Sequence, residues 1–227
     1  MLAMRKERGQ HARTSAGAEA APLADLRFLR LLGTKTWEEL PPQVRARFAK
    51  RMRPGLSVTY TGQIVECRRS AMGWLVAQLC RPIGAPLPLA ADTGVAAVVT
   101  VTEDERGGGQ VWTRMYARHR AFPQVIHSAK RFAGPTGLEE YLGCGFGIAL
   151  TVEASASGIS FLSDHYFLVV GGLRFRLPRW IGPGALRIDH LDRAEGAFDF
   201  VLSLRHALFG ELIHQVGRFH DQPGEAQ

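Results

Sequence analysis

Hydrophobic and polar residues alternate along most of the chain from Val95 to Phe219, and short glycine-containing turns separate the alternating segments. This pattern is typical of β-strands that turn one face toward a core. About ten strands are expected, and most connections are too short for the crossovers that parallel strands need. The pattern therefore predicts a mainly β (α+β) fold, an antiparallel meander that forms a barrel or a strongly curved sheet.

Short helices are predicted before this β run. Apolar residues recur at helical spacing from Pro22 to Leu32, Thr36 is placed to cap a second short helix, and a third is predicted over Gln43–Met52. Leu56–Arg68 alternates and is predicted as the first strand, and Ser70–Leu79 is predicted as one further helix near residues 70–80. The helical preface is expected to cover one end or face of the sheet.

Positive charge is concentrated near the N-terminus. Residues 1–53 contain 12 Lys and Arg against 5 Asp and Glu, whereas residues 54–227 contain 16 of each. Residues 1–21 are predicted as a disordered basic tail, residues 22–220 as a single β-rich domain with a helical preface, and residues 221–227 as a C-terminal tail. Because the β region is electrically neutral and no aromatic residues interleave the basic ones, no nucleic-acid partner is expected.

The chain lacks the signals of export and of metal or cofactor binding. No segment reaches the roughly 18 consecutive apolar residues of a membrane helix, and no secretory signal is present, so no membrane span is expected and a cytoplasmic location is predicted. Cys67, Cys80 and Cys144 are too scattered for a disulfide framework or a zinc site, and each is predicted to be a buried thiol. No cofactor and no metal are expected.

Several short blocks of sequence occur in a defined order between Leu40 and Gly217. They are Leu40-Pro41-Pro42, Val44-Arg45, Tyr60-x-Gly62, Trp112-x-Arg114, Ser128 with Lys130, Leu138-Glu139-Glu140, Phe198-Asp199-Phe200 and Leu208-Phe209-Gly210-Glu211-Leu212-Ile213-His214. In these blocks the chain resembles a bacterial family of uncharacterised domains, the domain of unknown function numbered 4166. The resemblance implies a single domain with no established activity, and it identifies no catalytic residue.

The predicted strand Gln110–Arg118 has two chemically different faces. Trp112, Arg114, Tyr116 and Arg118 fall on one face, and mainly aliphatic residues fall on the other. If the first face lines a cavity, Arg114 is placed to bind a carboxylate or phosphate head group, and Trp112 and Tyr116 form an apolar wall. The commoner arrangement is the reverse, in which the aliphatic face is core and arginine stems cover the rings in solvent.

Two further side chains are candidate ligand-binding residues. Glu139 and Glu140 are adjacent, so they point to opposite faces of a strand, and one of them is placed to neutralise an inward Arg114. His165 lies in an apolar strand, on the same predicted face as Phe161. It is either a general base or, more commonly, a buried neutral imidazole.

The sequence supports three functions. The first, which we favour, is non-catalytic binding of a small amphipathic or hydrophobic ligand in a cavity of the sheet, lined by Trp112, Arg114 and Tyr116 with Glu139 and His165 as secondary residues. The second is an enzyme that acts on a carbonyl or carboxylate substrate through His165 or an Arg114–Glu139 pair. The third is an interaction module whose sheet packs on a protein partner.

Overall fold

Ten antiparallel strands form a closed barrel in the computed structural model, which describes residues 23–51, 57–193 and 195–221. The described residues form thirteen strands, of which ten build the barrel. The thirteen strands are β1 Leu23–Ala24, β2 Lys50–Arg51, β3 Ser57–Arg69, β4 Val95–Asp104, β5 Gly109–Tyr116, β6 Gln124–Arg131, β7 Leu138–Gly143, β8 Phe146–Ser155, β9 Gly158–Val170, β10 Leu173–Arg176, β11 Ala185–Asp192, β12 Ala197–His206 and β13 Gly210–His220. The helices are α1 Arg27–Leu32, α2 Thr34–Glu38, α3 Pro42–Phe48 and α4 Ala71–Leu79, and a 3₁₀ turn spans Arg81–Ile83. The predicted basic tail, residues 1–21, and all of the predicted C-terminal tail beyond Asp221 lie outside the described residues.

The barrel follows the order of the chain with one exception. Strands β3 to β9 pair successively, β9 then pairs with β11, and β11, β12 and β13 pair successively. Strand β13 closes the ring by pairing with β3, where Phe219 lies opposite Gly62. Strand β10 lies outside the ring and forms a hairpin with the last part of β9. The predicted mainly β fold, an antiparallel meander that forms a barrel, is confirmed.

Glycine residues form the turns at which strands reverse. In the β4–β5 hairpin Gly108 has a φ of +66°, and Gly171 and Gly172, between β9 and β10, have φ values of +58° and +83°. Residues with a Cβ rarely adopt these angles, so the chain reverses where glycine allows it. The glycine-containing turns predicted between the strands are thus confirmed at Gly107–Gly109 and at Gly171-Gly172.

Helices α1, α2 and α3 close one end of the barrel. Their buried side chains include Phe28, Trp37 and Phe48. Phe28 and Phe48 contact the inward ring of Phe161, with centroids 6.1 and 5.9 Å apart. Phe48 also packs edge-on against the ring of His190 in β11, at 5.1 Å. These contacts confirm that the helical preface covers one end of the sheet.

Helix α4 covers the opposite end. It begins after Ser70, whose Oγ accepts a 3.1 Å hydrogen bond from the backbone N–H of Gly73 and so caps the helix. Gly73 packs directly on β13, because a Cβ at this position would lie 2.0 Å from the carbonyl oxygen of Leu212. Within the described ranges, no helix is long and apolar enough to cross a membrane.

Several local predictions are wrong. The helix predicted over Gln43–Met52 ends at Phe48, because Lys50 and Arg51 form β2. Thr36 does not cap the second helix but lies inside it, since α2 begins at Thr34. The helix predicted over Pro22–Leu32 begins only at Arg27, because the preceding residues pair as β1 with β2. The strand predicted over Gln110–Arg118 ends at Tyr116. Cys144 is exposed rather than buried, because it lies in the tight turn between β7 and β8.

A β-bulge in β9 changes which of its side chains share a face. Ser163 and His165 lie opposite two consecutive residues of β8, so Asp164 is an extra residue in the pairing. The alternation therefore shifts at Asp164. Phe161 points into the barrel, whereas His165 points to the outer face. The prediction that Phe161 and His165 share a face is wrong for this reason.

Candidate ligand-binding site

The aromatic and cationic face of β5 points into the barrel. Trp112, Arg114 and Tyr116 line an interior cavity, and Trp112 is only 8% exposed. The opposite face lies on the outer wall, where Met115 is 40% exposed. The arrangement with the aliphatic face in the core is therefore wrong. A ring of ten strands encloses enough space for large aromatic side chains.

Arg114 belongs to a buried ion cluster, here called the Arg114–Glu140–Lys130 triad. Arg114 Nη2 lies 3.2 Å from Glu140 Oε1, and Lys130 Nζ donates to Glu140 Oε2 at 2.9 Å. Ser128 Oγ accepts a 2.6 Å hydrogen bond from Arg114 Nη2. The Lys130 ammonium lies 4.8 Å from the centre of the Trp112 ring, which is within cation–π range. The prediction that one of two adjacent glutamates neutralises an inward Arg114 is confirmed, and Glu140 is that residue.

Lys130 is a site residue that the sequence pattern alone does not identify. It lies directly opposite Glu140 in the β6–β7 pair, and Ser128 lies two residues before it on the same inner face of β6. Alternation in the sequence could have placed Ser128 and Lys130 on one face. The strand register that brings them beside Arg114 depends on long-range pairing, which periodicity does not specify.

The two cations of the triad control the protonation of Glu140. Burial acts to raise the pKa of Glu140, but the charges of Lys130 and Arg114 outweigh burial and hold this pKa at about 2. Burial lowers the pKa of Lys130 from its ordinary value, against the attraction of Glu140. Glu140 is therefore ionised at neutral pH, and the triad carries one excess positive charge whenever Lys130 is protonated.

A cavity of about 320 Å³ lies between the triad and helix α4. Its wall is mainly apolar and includes Met72, Val76, Leu142, Ile148, Leu186 and Leu202. The charged side chains that line it are Arg114 and Glu140. Small-molecule sites have volumes from roughly 300 Å³ upward, so this cavity has room for a small ligand.

Arg114 has an unused hydrogen-bond donor beside this cavity. Its Nε is buried, and none of the described residues accepts a hydrogen bond from it. A second cavity of about 40 Å³ lies against the same side chain, among Trp112, Tyr116 and Lys130. Leaving a buried donor without an acceptor costs about 1–3 kcal/mol. The site therefore favours a molecule that brings an acceptor to Arg114.

Glu139 and His165 lie on the outer face of the barrel, away from the triad. Glu139 is buried in an ion pair with Arg174 of β10. His165 Nδ1 lies 2.5 Å from Asp164 Oδ2. Neither Glu139 nor His165 lines the two cavities that contain Arg114, and Glu139 does not contact Arg114.

The histidines of the late strands have separate surroundings. His190 is buried among phenylalanine rings, and burial lowers its pKa to about 3, so its imidazole is neutral. His206 lines the large cavity, whereas His214 lies beside Ser203 on the β12–β13 pair. In the part of the chain that the structure describes, no group of three or more His, Cys, Asp or Glu side chains is placed to hold a metal ion.

One match among known proteins covers most of the chain. The family model described as a domain of unknown function (DUF4166) matches residues 40–219. The chain belongs to this family. No curated protein and no solved structure matches the chain. The resemblance carried by the ordered sequence blocks is thus confirmed.

In this DUF4166 domain, several of the blocks that carry the resemblance meet inside the barrel. Trp112, Arg114, Ser128, Lys130 and Glu140 belong to three of these blocks, and together they form the triad and its two neighbours. The last block forms the β12–β13 turn and the start of β13, on which α4 packs. Three blocks that are distant in sequence therefore contribute to the wall of the cavity of about 320 Å³, through Arg114, Glu140, and Phe209 with Leu212.

Proposed function

We propose that the DUF4166 domain binds a small amphipathic molecule that has an apolar chain and an anionic head group. The chain occupies the cavity under α4, and a carboxylate or phosphate head lies against Arg114. The observation that supports this most directly is the buried Arg114 Nε, which has no acceptor among the described residues and lies beside a mainly apolar cavity of about 320 Å³. Few polar groups in an apolar wall are typical of small-molecule sites.

The charge of the triad favours an anion over a neutral ligand. Arg114 and Lys130 bring two positive charges to the single carboxylate of Glu140. An uncompensated buried charge is costly, and an anionic head group can neutralise it while accepting the hydrogen bond that Arg114 Nε has to donate. Trp112 and Tyr116 line the smaller cavity together with Arg114.

Catalysis that combines His165 with Arg114 has less support from the geometry. A general base has to lie within hydrogen-bonding reach of the reacting group, directly or through one water molecule. His165 points to the outer face of β9, whereas Arg114 points into the barrel. We therefore favour binding over an enzyme that uses these two residues.

A dansyl-labelled fatty acid tests the proposal directly. The wild-type protein is expected to bind it in a saturable way with a rise in dansyl fluorescence, and the methyl ester of the same probe is expected to bind more weakly. Arg114→Met should weaken binding of the acid by about 10- to 100-fold, because a hydrogen bond to a charged group contributes about 1.5–3 kcal/mol. The variant is expected to fold, because Lys130 and Glu140 remain a balanced pair.

Arg174→Met is the matched control for this experiment. Arg174 also pairs with a buried glutamate, Glu139, but it lies on the outer face and does not line the cavity. The Arg174→Met variant should bind the dansyl-labelled fatty acid with the same affinity as the wild type. Equal affinities of Arg114→Met and wild type, or of acid and ester, would show that no anionic head group binds at Arg114.

The affinity for the fatty acid should fall as the pH rises. Burial lowers the pKa of Lys130, so its ammonium loses its proton at a lower pH than an ordinary lysine does, and its attraction for the carboxylate then disappears. Burial raises the pKa of Tyr116 above its ordinary value, so the phenol stays neutral at the pH values where an ordinary tyrosine is neutral. Dansyl titrations at several pH values measure how steeply the affinity falls with pH. If the affinity of Lys130→Met falls just as steeply, the pH dependence belongs to another group.

A further inference from the structure

Exposed apolar side chains, here called the apolar rim, lie at the end of the barrel where the large cavity opens. The rim consists of Trp74, Leu75 and Leu79 of α4, Trp180 and Ile181 before β11, and Leu208 and Phe209 of the β12–β13 turn. Leu79, Ile181 and Phe209 line the cavity although they are 70, 52 and 53% exposed, which places them at its opening. Trp180 and Leu208, their neighbours in sequence, are 80 and 83% exposed. Three segments that are distant in sequence thus present apolar side chains at one opening.

This concentration of apolar side chains differs from an ordinary protein surface. Single exposed apolar residues are normal, but a contiguous group marks a site of contact with a membrane or a protein. Of the four tryptophans of the chain, Trp74 and Trp180 belong to the rim, whereas Trp37 and Trp112 are buried. Tryptophan is typical of the boundary between lipid and water, because its ring is apolar and its N–H can stay hydrated.

The charge around the rim is positive. Residues 71–84, 173–184 and 205–211, which contain the rim, include five arginines and one acidic residue. The acidic residue, Glu211, pairs with Arg68. Two of the five arginines are already paired, Arg174 with Glu139 and Arg176 with Asp164. The other three, Arg81, Arg179 and Arg205, are exposed and form no ion pair within the described residues. Basic residues next to exposed apolar and aromatic ones complement the phosphate groups and acyl chains of an anionic lipid surface.

We propose that the apolar rim docks on the surface of an anionic phospholipid bilayer. The rim side chains enter the head-group region, the arginines contact lipid phosphates, and the mouth of the cavity faces the acyl chains. Docking itself depends only on the rim and its charges. Its further consequence, that an amphipathic ligand can pass between bilayer and cavity without crossing water, rests on the proposed function.

Co-sedimentation with unilamellar vesicles tests the docking. The full-length protein is expected to bind vesicles that contain phosphatidylglycerol more tightly than vesicles of phosphatidylcholine alone, and less tightly as salt rises, because salt screens the arginine charges. Brominated phosphatidylcholine in the phosphatidylglycerol vesicles should quench the tryptophan fluorescence that comes from Trp74 and Trp180. The buried Trp37 and Trp112 should be quenched less.

A double substitution in the rim, Trp180→Ser with Leu208→Ser, should weaken vesicle binding at least tenfold. Both side chains are about four-fifths exposed, so their removal should leave the fold intact. The matched control is Met115→Thr with Val125→Thr, two facing residues on the outer wall that are 40 and 44% exposed. The control removes as many exposed apolar side chains and should bind vesicles like the wild type.

Several results would overturn the docking proposal. One is an absence of binding to phosphatidylglycerol vesicles at low salt. Another is an equal loss of vesicle binding in the rim variant and in the control variant. A third is that the wild type binds no vesicles but self-associates, and that the rim variant abolishes this self-association. The last result would assign the rim to a protein partner. Trp180 and Leu208 do not line the cavity, so dansyl fatty-acid binding in solution tests the ligand proposal separately.

Discussion

Glu140→Gln should lower the free energy of unfolding by about 3–5 kcal/mol, which is the usual effect of removing one partner from a buried ion pair. Glutamine has nearly the same shape as glutamate, so packing changes little. The substitution leaves Arg114 and Lys130 as two buried cations without their shared carboxylate. Urea unfolding of the two proteins at neutral pH measures the difference.

Glu139→Gln is the control, because it changes an adjacent carboxylate that is equally buried. Its partner Arg174 has a side chain that is 32% exposed, so water can take the place of the lost carboxylate. A loss of roughly 1 kcal/mol is expected. If the Glu139 and Glu140 variants lose equal amounts of unfolding free energy, the uncompensated charge does not belong to the triad.

The difference in the free energy of unfolding between the wild type and Glu140→Gln should also become smaller at acidic pH. The pKa of Glu140 is about 2 in the folded protein and 4.5 for an unperturbed glutamate. Its carboxylate therefore stabilises the fold fully above about pH 4.5, and the stabilisation is lost as the pH falls toward about 2. The difference between these pKa values corresponds to about 3 kcal/mol. A gap that is constant between pH 6 and pH 3 would mean that the carboxylate is not held by the two cations.

Gly73→Ala should destabilise the protein by about 1–3 kcal/mol, as overpacking usually does. This is the reverse of the common effect, since alanine stabilises a helix interior by up to about 1 kcal/mol relative to glycine. The new Cβ would lie 2.0 Å from the carbonyl oxygen of Leu212. That oxygen belongs to a strand of a closed ring, so α4 has to move away from the barrel and from the cavity that it covers.

Thermal unfolding and dansyl fatty-acid binding measure the two consequences of Gly73→Ala, which are lower stability and weaker binding. Ala71→Gly in the same helix is the control. Ala71 is exposed, so this substitution reports only the helix propensity of the residue, and a loss of at most about 1 kcal/mol is expected. A higher unfolding temperature for Gly73→Ala would show that α4 does not press on β13.

The barrel could be predicted because the sequence features that indicate it each lie within a short segment of the chain. Alternation marks the strands, and glycine marks turns such as the one at Gly108, so strand number and antiparallel connection follow from short stretches of sequence. Whether a given face of a strand points into the barrel or out of it cannot be predicted in this way. Alternation separates Trp112 and Arg114 from Met115 but does not say which side is inside, because that depends on what neighbouring strands present.

The candidate site was only partly predictable for the same physical reason. Arg114 stands out in its strand, but its partner Glu140 differs from Glu139 only in the face it occupies, and Lys130 reaches the site through strand register. The place of His165 depends on a single extra residue at Asp164, and no glycine or proline in the sequence marks that bulge. Such features are fixed by contacts between strands and not by local periodicity.

The closure of the ring through β13 and β3 has a consequence for how the chain is made. The partner of Gly62 is Phe219, so about 150 residues have to leave the ribosome after β3 before its second edge can be covered. Until then β3 presents a row of unpaired backbone groups to any other strand nearby. Contacts this far apart in sequence also slow folding. The nascent protein is thus most exposed to aggregation just before its last strand is complete.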